Sequence, residues 1–279
     1  MSRSLCRRIV CTWLAASLLV SAIGQGVQAS DDRAVLARAG AHVARYARLL
    51  PHLVAEETMT QHLRPRRGRE EKPVDRRVVS DLGWVRLDGL DEPLALRDVQ
   101  SVDREPVPKI RGARRLRAGR QATTDEARAL LDAAARYNLA PGSRNINIPT
   151  FVFFFLLPEW QPRFSWKRQS PREAEVWEFS FRERERPTVI RTESRRPVFS
   201  RGRVWIRRET GEIIRTLLDV RVDGSDYTLE TRFEPDERLG MTLPVEMTET
   251  YAARTFVVRG TATYENYRRF TTEARVIGQ

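Results

Sequence analysis

Cysteine and histidine are both scarce in this chain of 279 residues. The two cysteines, Cys6 and Cys11, stand near the N-terminus, inside a stretch that we interpret below as a leader peptide. A mature chain without them has no disulfide and no thiolate to act as nucleophile or metal ligand. Its stability must therefore come from a hydrophobic core rather than from covalent cross-links.

The three histidines do not make a metal motif. His42, His52 and His62 are ten residues apart, and on a helix this spacing turns each ring by about 80° from the last. His52 and Glu56 form the best ligand pair, but two ligands do not make a site and the HExxH pattern is absent. We therefore expect neither a metal nor a cofactor.

Motifs for nucleophilic or acid-base catalysis are missing too. Ser143 lacks the Gly-x-Ser-x-Gly elbow, and no glycine-rich run has the spacing of a phosphate-binding loop. Glu56 and Glu57 are adjacent, so we expect one to face solvent and the other to pair with an arginine. The sequence predicts no catalytic residue, although an enzyme of an unrecognised type stays open as an alternative.

Lysine is rare, and arginine carries the positive charge. Three of the 49 basic residues are lysines, and the formal net charge is +12. Two arginine-rich stretches, Arg64–Lys72 and Arg111–Arg120, have no interleaved aromatic residues, so they do not indicate nucleic-acid binding. As exposed loops they are candidates for contact with an anionic membrane surface.

The N-terminus has the three parts of a secretory signal peptide. Basic residues up to Arg8 precede an apolar stretch, Ile9–Ile23, and the small residues Val27 and Ala29 fit a cleavage site. We predict a signal peptide over residues 1–29 and one exported domain over 30–279, in the periplasm or outside the cell. An uncleaved anchor is the alternative.

Helical periodicity follows the predicted cleavage site. Apolar residues recur at intervals of three and four from Val35 to Val54, which predicts an amphipathic helix over Asp31–Gln61 with a kink or break near Leu50, caused by Pro51. Further on, residues 78–87 and 94–102 resemble a strand pair. A capping pattern at Thr123 begins a second predicted helix that ends near Asn138, so residues 30–140 hold helices and the first strands.

The densest apolar block of the mature chain runs from Phe151 to Leu157 within a hinge segment over residues 141–166. It is too short to cross a bilayer as a helix, and Pro149 and Pro158 flank it. Beyond it, alternating apolar residues separated by turn signals such as Asp223-Gly224 predict an antiparallel meander of about six strands over 167–279.

The segments VWEFSFRE, GRVWIRRETGEIIRT and GTATYENYRRF, in this order, resemble a set of secreted bacterial proteins without an assigned activity. More distantly, a long helix followed by a strand meander with a hairpin over Trp205–Gly211 is similar to the half-barrel of periplasmic lipoprotein carriers. The resemblance implies a lipid-binding fold, but no ligand residue can be transferred from it.

The expected fold is mainly β (α+β): a curved antiparallel sheet or half-barrel, covered by the N-terminal helix and the short apolar segment. We predict non-catalytic binding of an apolar ligand, a lipid or a lipidated partner; a closed-core scaffold or protein-interaction domain is the alternative. The predicted ligand-binding residues are aromatic side chains of the meander and of the apolar block: Phe153, Phe154, Trp160, Trp177, Phe179 and Phe181.

Overall fold

The computed structural model describes residues 12–66, 72–85, 94–108, 124–139, 147–192 and 194–269. The described helices are α1 (Thr12–Leu49), α2 (Thr124–Ala135) and α3 (Phe153–Leu156). The strands are β1 (Leu53–Pro65), β2 (Val74–Val85), β3 (Leu94–Val102), β4 (Glu105–Pro106), β5 (Phe164–Arg168), β6 (Val176–Glu183), β7 (Ile190–Arg191), β8 (Pro197–Val198), β9 (Ser200–Arg207), β10 (Ile213–Val222), β11 (Ser225–Asp236), β12 (Met241–Ala252) and β13 (Phe256–Arg269).

One antiparallel sheet of eleven strands dominates the structure, in the order β4-β3-β2-β1-β13-β12-β11-β10-β9-β6-β5. It is not closed, because β4 and β5 stand at opposite edges. The first strands join the last through the pairing of β1 with β13, which runs from Leu53 opposite Arg269 to Pro65 opposite Phe256. The predicted mainly β fold with a large antiparallel sheet is confirmed.

The two faces of the sheet differ in polarity because side chains alternate along each strand. On β6, Trp177, Phe179 and Phe181 are buried, while their neighbours along the strand are at most half-buried. We call the face that carries these buried residues the inner face and the opposite one the outer face. The alternation predicted for the C-terminal half is confirmed.

The turn signals of the meander also act as predicted. Asp223 and Gly224 both have positive φ, at 48° and 81°, and they join β10 to β11 as a two-residue hairpin turn. Such turns match the right-handed twist of the strands, and glycine and aspartate adopt them at low cost. This tight connection sets the register of the two strands.

The predicted helix over Asp31–Gln61 is wrong in its last part. Helix α1 ends at Leu49, a short 3-10 turn over Leu50–His52 follows, and β1 begins at Leu53. The break near Pro51 is confirmed, but the chain beyond it is extended. Its inner face alternates apolar and polar groups, since Met59 is buried beside Glu57 and Gln61, and this hid the strand pattern.

Helix α1 begins at Thr12, so it also includes part of the predicted signal peptide, whose cleavage stays a prediction. Among the described helices, none is long and apolar enough to span a membrane. The predicted loop Arg64–Lys72 is wrong at its start, since Arg64 and Pro65 end strand β1; residues 67–71 and the predicted loop over 111–120 lie outside the described residues.

Two glycines allow α1 to lie close to its neighbours. A Cβ atom on Gly40 would lie 2.8 Å from the carbonyl oxygen of Leu156 in α3. Gly211, at φ 75°, would place a Cβ atom 2.4 Å from the backbone of Arg38. Helix α1 therefore contacts both α3 and the β9–β10 turn, and its own residues Val35 and Ala39 are buried.

His42 of α1 makes the folded state sensitive to acid. Its Nε2 is buried without a hydrogen-bond partner among the described residues. Burial lowers the pKa of His42 below its ordinary value, against the opposing charge of Glu212. Since the folded state then binds the proton less tightly than the unfolded chain, stability is lost as the pH falls below about 6.5.

We therefore expect the free energy of unfolding to fall between neutral pH and about pH 5, and the His42→Gln variant to show a flatter profile. Urea unfolding at a series of pH values measures this. His62→Gln is the matched control, since His62 is exposed and bonded to Asp75 at 2.9 Å. An unchanged pH profile in His42→Gln would contradict the assignment.

Candidate ligand site on the inner face

The six predicted ligand-binding residues all lie on or beside the core, but they do not meet in one place. Trp177, Phe179 and Phe181 are buried on β6, and Phe153 is buried in α3. The ring of Phe153 stacks on Phe233 of β11 at 4.9 Å between ring centroids, so it lies away from β6. Phe154 and Trp160 are half-buried.

Phe155, which was not among the predicted residues, makes the contact between α3 and β6. It is completely buried, stacks on Phe164 at 4.7 Å and meets the ring of Phe181 edge to face at 5.4 Å. Trp177 and Phe179 in turn lie 6.1 Å apart. The aromatic part of the inner face is therefore filled by contacts between side chains.

A small space remains beside Phe153 and Phe154, where α1 and Trp84 approach α3. Its volume is about 20 Å³. Pockets for drug-sized ligands measure about 300 Å³ or more, so an acyl chain would have to displace side chains or α3 here. The role of the six aromatic residues in ligand binding stays a prediction.

A larger cavity of about 130 Å³ lies between α2 and the inner face of β1, β2 and β3. Its walls are mainly apolar, and a few polar side chains lie among them. The apolar wall includes Met59, Val78, Ala95, Val99, Leu131 and Ala134, and the polar lining includes Glu57, Gln61, Arg97 and Asn147.

A buried ion pair lies at this cavity. Arg97 of β3 approaches Glu57 of β1 through two nitrogens, with Nε 2.5 Å from Oε2 and Nη2 2.8 Å from Oε1. The hydroxyl of Ser80, directly opposite Glu57 on β2, donates to Oε2 at 3.2 Å. Glu57 is 1% exposed. The pair is held by β1, β2 and β3 together.

The ionisation of this cluster follows from burial and proximity. Burial disfavours the charged guanidinium, but the adjacent Glu57 carboxylate outweighs burial and raises the pKa of Arg97 above its ordinary value. Burial, and then the charge of Glu57, raises the pKa of Tyr264 on β13 well above the usual range. Arg97 is therefore cationic and Tyr264 neutral across the physiological pH range.

The cluster also attaches the chain segment that precedes α3. Arg97 Nη2 donates to the backbone oxygen of Asn147 at 2.8 Å, and Asn147 Nδ2 donates to Glu249 of β12 at 3.2 Å. Glu249 is buried on the inner face. Polar side chains from two separate regions of the sheet thus hold the segment that leads into the apolar block.

The segment after α2 is attached in a similar way. Gln61 Nε2 donates to the backbone oxygen of Tyr137 at 3.2 Å, and its Oε1 accepts from the backbone nitrogen of Leu139 at 3.1 Å. Both covering segments, on either side of residues 140–146, are therefore fixed to the sheet through buried polar side chains at the cavity.

Sequence reasoning missed this polar cluster. It placed Glu56 and Glu57 on a helix, although it expected one to face solvent and the other to pair with an arginine, and that expectation is confirmed. Strand alternation explains the outcome, since Glu56 is exposed and Glu57 buried. Ala55, Glu57 and Met59 share the inner face at a period of two, but the polar Glu57 hid this alternation in the sequence.

The three histidines lie on different elements: His42 on α1, His52 in the 3-10 turn and His62 on β1. Within the residues that the structure describes, no group of three or more His, Cys, Asp or Glu side chains could hold a metal ion.

No protein-family model matches the chain, and no curated protein matches it significantly. The function must therefore be inferred from the geometry of the inner face.

Proposed function

We propose that this protein is an exported, non-catalytic binding protein for an apolar ligand, a lipid or a lipidated partner. The observation that carries the proposal is the cavity between α2 and the inner face, with apolar walls and buried polar groups. Ligand sites commonly combine apolar walls with a few fixed polar groups, and the cavity has this composition.

The covering of the sheet supports the same proposal. An apolar sheet face must be covered, and here three separate helices cover it rather than a second sheet. Helices α1, α2 and α3 contact the inner-face residues, and α2 is only twelve residues long. In the proposed half-barrel, these segments move to admit a ligand larger than the present 130 Å³ cavity.

The groups at the cavity suit an amphiphile with an uncharged polar end. Arg97 is already neutralised by Glu57, so the pair offers no free charge to a ligand. Met59, Val78 and Val99 would contact an acyl chain, and the aromatic residues of β6 would extend the apolar surface once α3 moved.

Filling the cavity tests the proposal. Ala134 lines the cavity, so we expect Ala134→Phe to weaken binding of a fluorescent fatty acid at least about tenfold, by steric exclusion. Ala129→Phe is the matched control, because Ala129 is exposed on the same helix. Fluorescence titration of the delipidated protein measures both. Equal affinity in the two variants would contradict a ligand at this cavity.

A second function is favoured by the packing of the aromatic residues. Phe155 fills the space between α3 and β6 completely, as a closed core would require. In this case the protein is a scaffold or interaction domain of the envelope, and contacts are made by its surface. Failure of the wild-type protein to bind any acyl probe would support this alternative.

A further inference from the structure

An open groove of about 590 Å³ lies near the edge of the sheet formed by β5, on the strands β5, β6 and β9. The outward side chains of these strands form its sides. It is lined by five basic residues and one acidic residue: Lys167, Arg182, Arg184, Arg201, Arg203 and Asp219. The groove is therefore strongly positive.

Part of this charge has no counterpart. Arg203 pairs with Glu178 at 3.2 Å. In contrast, Lys167, Arg182 and Arg201 make no ion pair with any residue that the structure describes. Asp219 lies opposite Arg201 on the neighbouring strand, but its carboxylate accepts a hydrogen bond from Thr228 at 2.8 Å.

Three arginines on the outer face of β10 and β11 are paired with acidic residues. Arg215 lies 2.7 Å from Glu230, Arg221 lies 3.6 Å from Asp226, and Arg232 pairs with Glu234. Exposed arginines without an ion pair among the described residues also occur at Arg77 on β2 and Arg259 on β13, but on strands that are not neighbours. The groove differs because its unpaired cations lie together on the neighbouring strands β5, β6 and β9.

The strand register makes the arrangement unfavourable in the isolated protein. Arg182 of β6 and Arg201 of β9 are direct partners across the sheet. Side chains at such positions have Cβ atoms about 4.5–5.5 Å apart, and like charges there are destabilising. Proteins place like charges at such paired positions mainly at functional sites. An anion bound between the two guanidinium groups would remove the repulsion.

We propose that this groove binds phosphate groups of anionic lipids at a membrane surface. Guanidinium groups bind phosphate through paired hydrogen bonds, and two of them on adjacent strands can reach one phosphate. Lys167 and Arg184 extend the positive surface, which fits repeating headgroups better than one soluble anion. The surface is separate from the cavity beneath α2, so this inference does not depend on the proposed function.

Flotation with vesicles of phosphatidylglycerol and phosphatidylcholine tests the proposal. An arginine near an anionic surface strengthens binding about fivefold, so Arg182→Gln/Arg201→Gln should weaken it about 30-fold. The matched control is Arg221→Gln/Arg232→Gln, which removes the same formal charge from paired positions on β10 and β11. Thermal unfolding checks that both variants fold. We expect the control to lose much less affinity.

Several results would overturn the proposal. Equal losses in the two double variants would show that net charge alone drives binding. Binding of pyrophosphate in solution without binding to vesicles would assign the groove to a soluble anion. Binding of polyglutamate without binding to vesicles would assign it to an acidic protein. Absence of vesicle binding by the wild-type protein at low salt would also reject the lipid surface.

Discussion

Replacing Arg97 by methionine is expected to lower the free energy of unfolding by about 3–5 kcal/mol. The substitution leaves the Glu57 carboxylate, which is 1% exposed, without its cationic partner. A buried charge that has lost its partner bears the full cost of its removal from water. The Arg97→Met substitution also removes the hydrogen bond to the backbone oxygen of Asn147, so the segment before α3 loses one attachment. Urea unfolding measures the loss.

The double variant Glu57→Leu/Arg97→Met distinguishes the cost of an unpaired buried carboxylate from the loss of the arginine side chain itself. With both charges removed, stability should recover to near that of the wild type, because a buried pair and an apolar pair of similar size are often equivalent. Arg77→Met, at an exposed position of β2, is the matched control for removal of one arginine. A loss below about 1 kcal/mol in Arg97→Met would contradict the buried pair.

The second large effect is expected for Phe155→Ala, at about 3–5 kcal/mol. The side chain is completely buried between Phe164 and Phe181, and its removal leaves a cavity that rigid strands β5 and β6 cannot fill. Chemical denaturation gives the value. Phe154→Ala, half-buried on the same helix, should cost clearly less. Equal losses would show that α3 is not packed as described.

Much of the sheet could be predicted because its C-terminal strands obey one rule. On β6 and β9, buried apolar residues alternate with polar ones, and turns such as Asp223-Gly224 mark the ends of strands. The N-terminal strand β1 could not be recognised in this way. Its inner face includes Glu57 and Gln61, and the apolar residues around Leu50 continue the helical spacing of α1 across Pro51.

The polar cluster could not be predicted, because it joins residues that are far apart in sequence. The strand order β3-β2-β1-β13-β12 brings Arg97, Glu57 and Glu249 to one region, and the segment that crosses the sheet before α3 adds Asn147. No local pattern encodes these contacts. The aromatic residues of β6 could be predicted because apolar alternation is a local pattern. This pattern could not show that Phe155 fills the space between α3 and β6.

Native mass spectrometry of the protein, expressed with its predicted signal peptide and purified gently from the periplasm, tests the proposed function most directly. The proposal predicts a discrete extra mass of lipid size, recovered by organic extraction, reduced in Ala134→Phe and retained in Ala129→Phe. A mass equal to that of the protein alone, unchanged after incubation with a membrane extract, would contradict it.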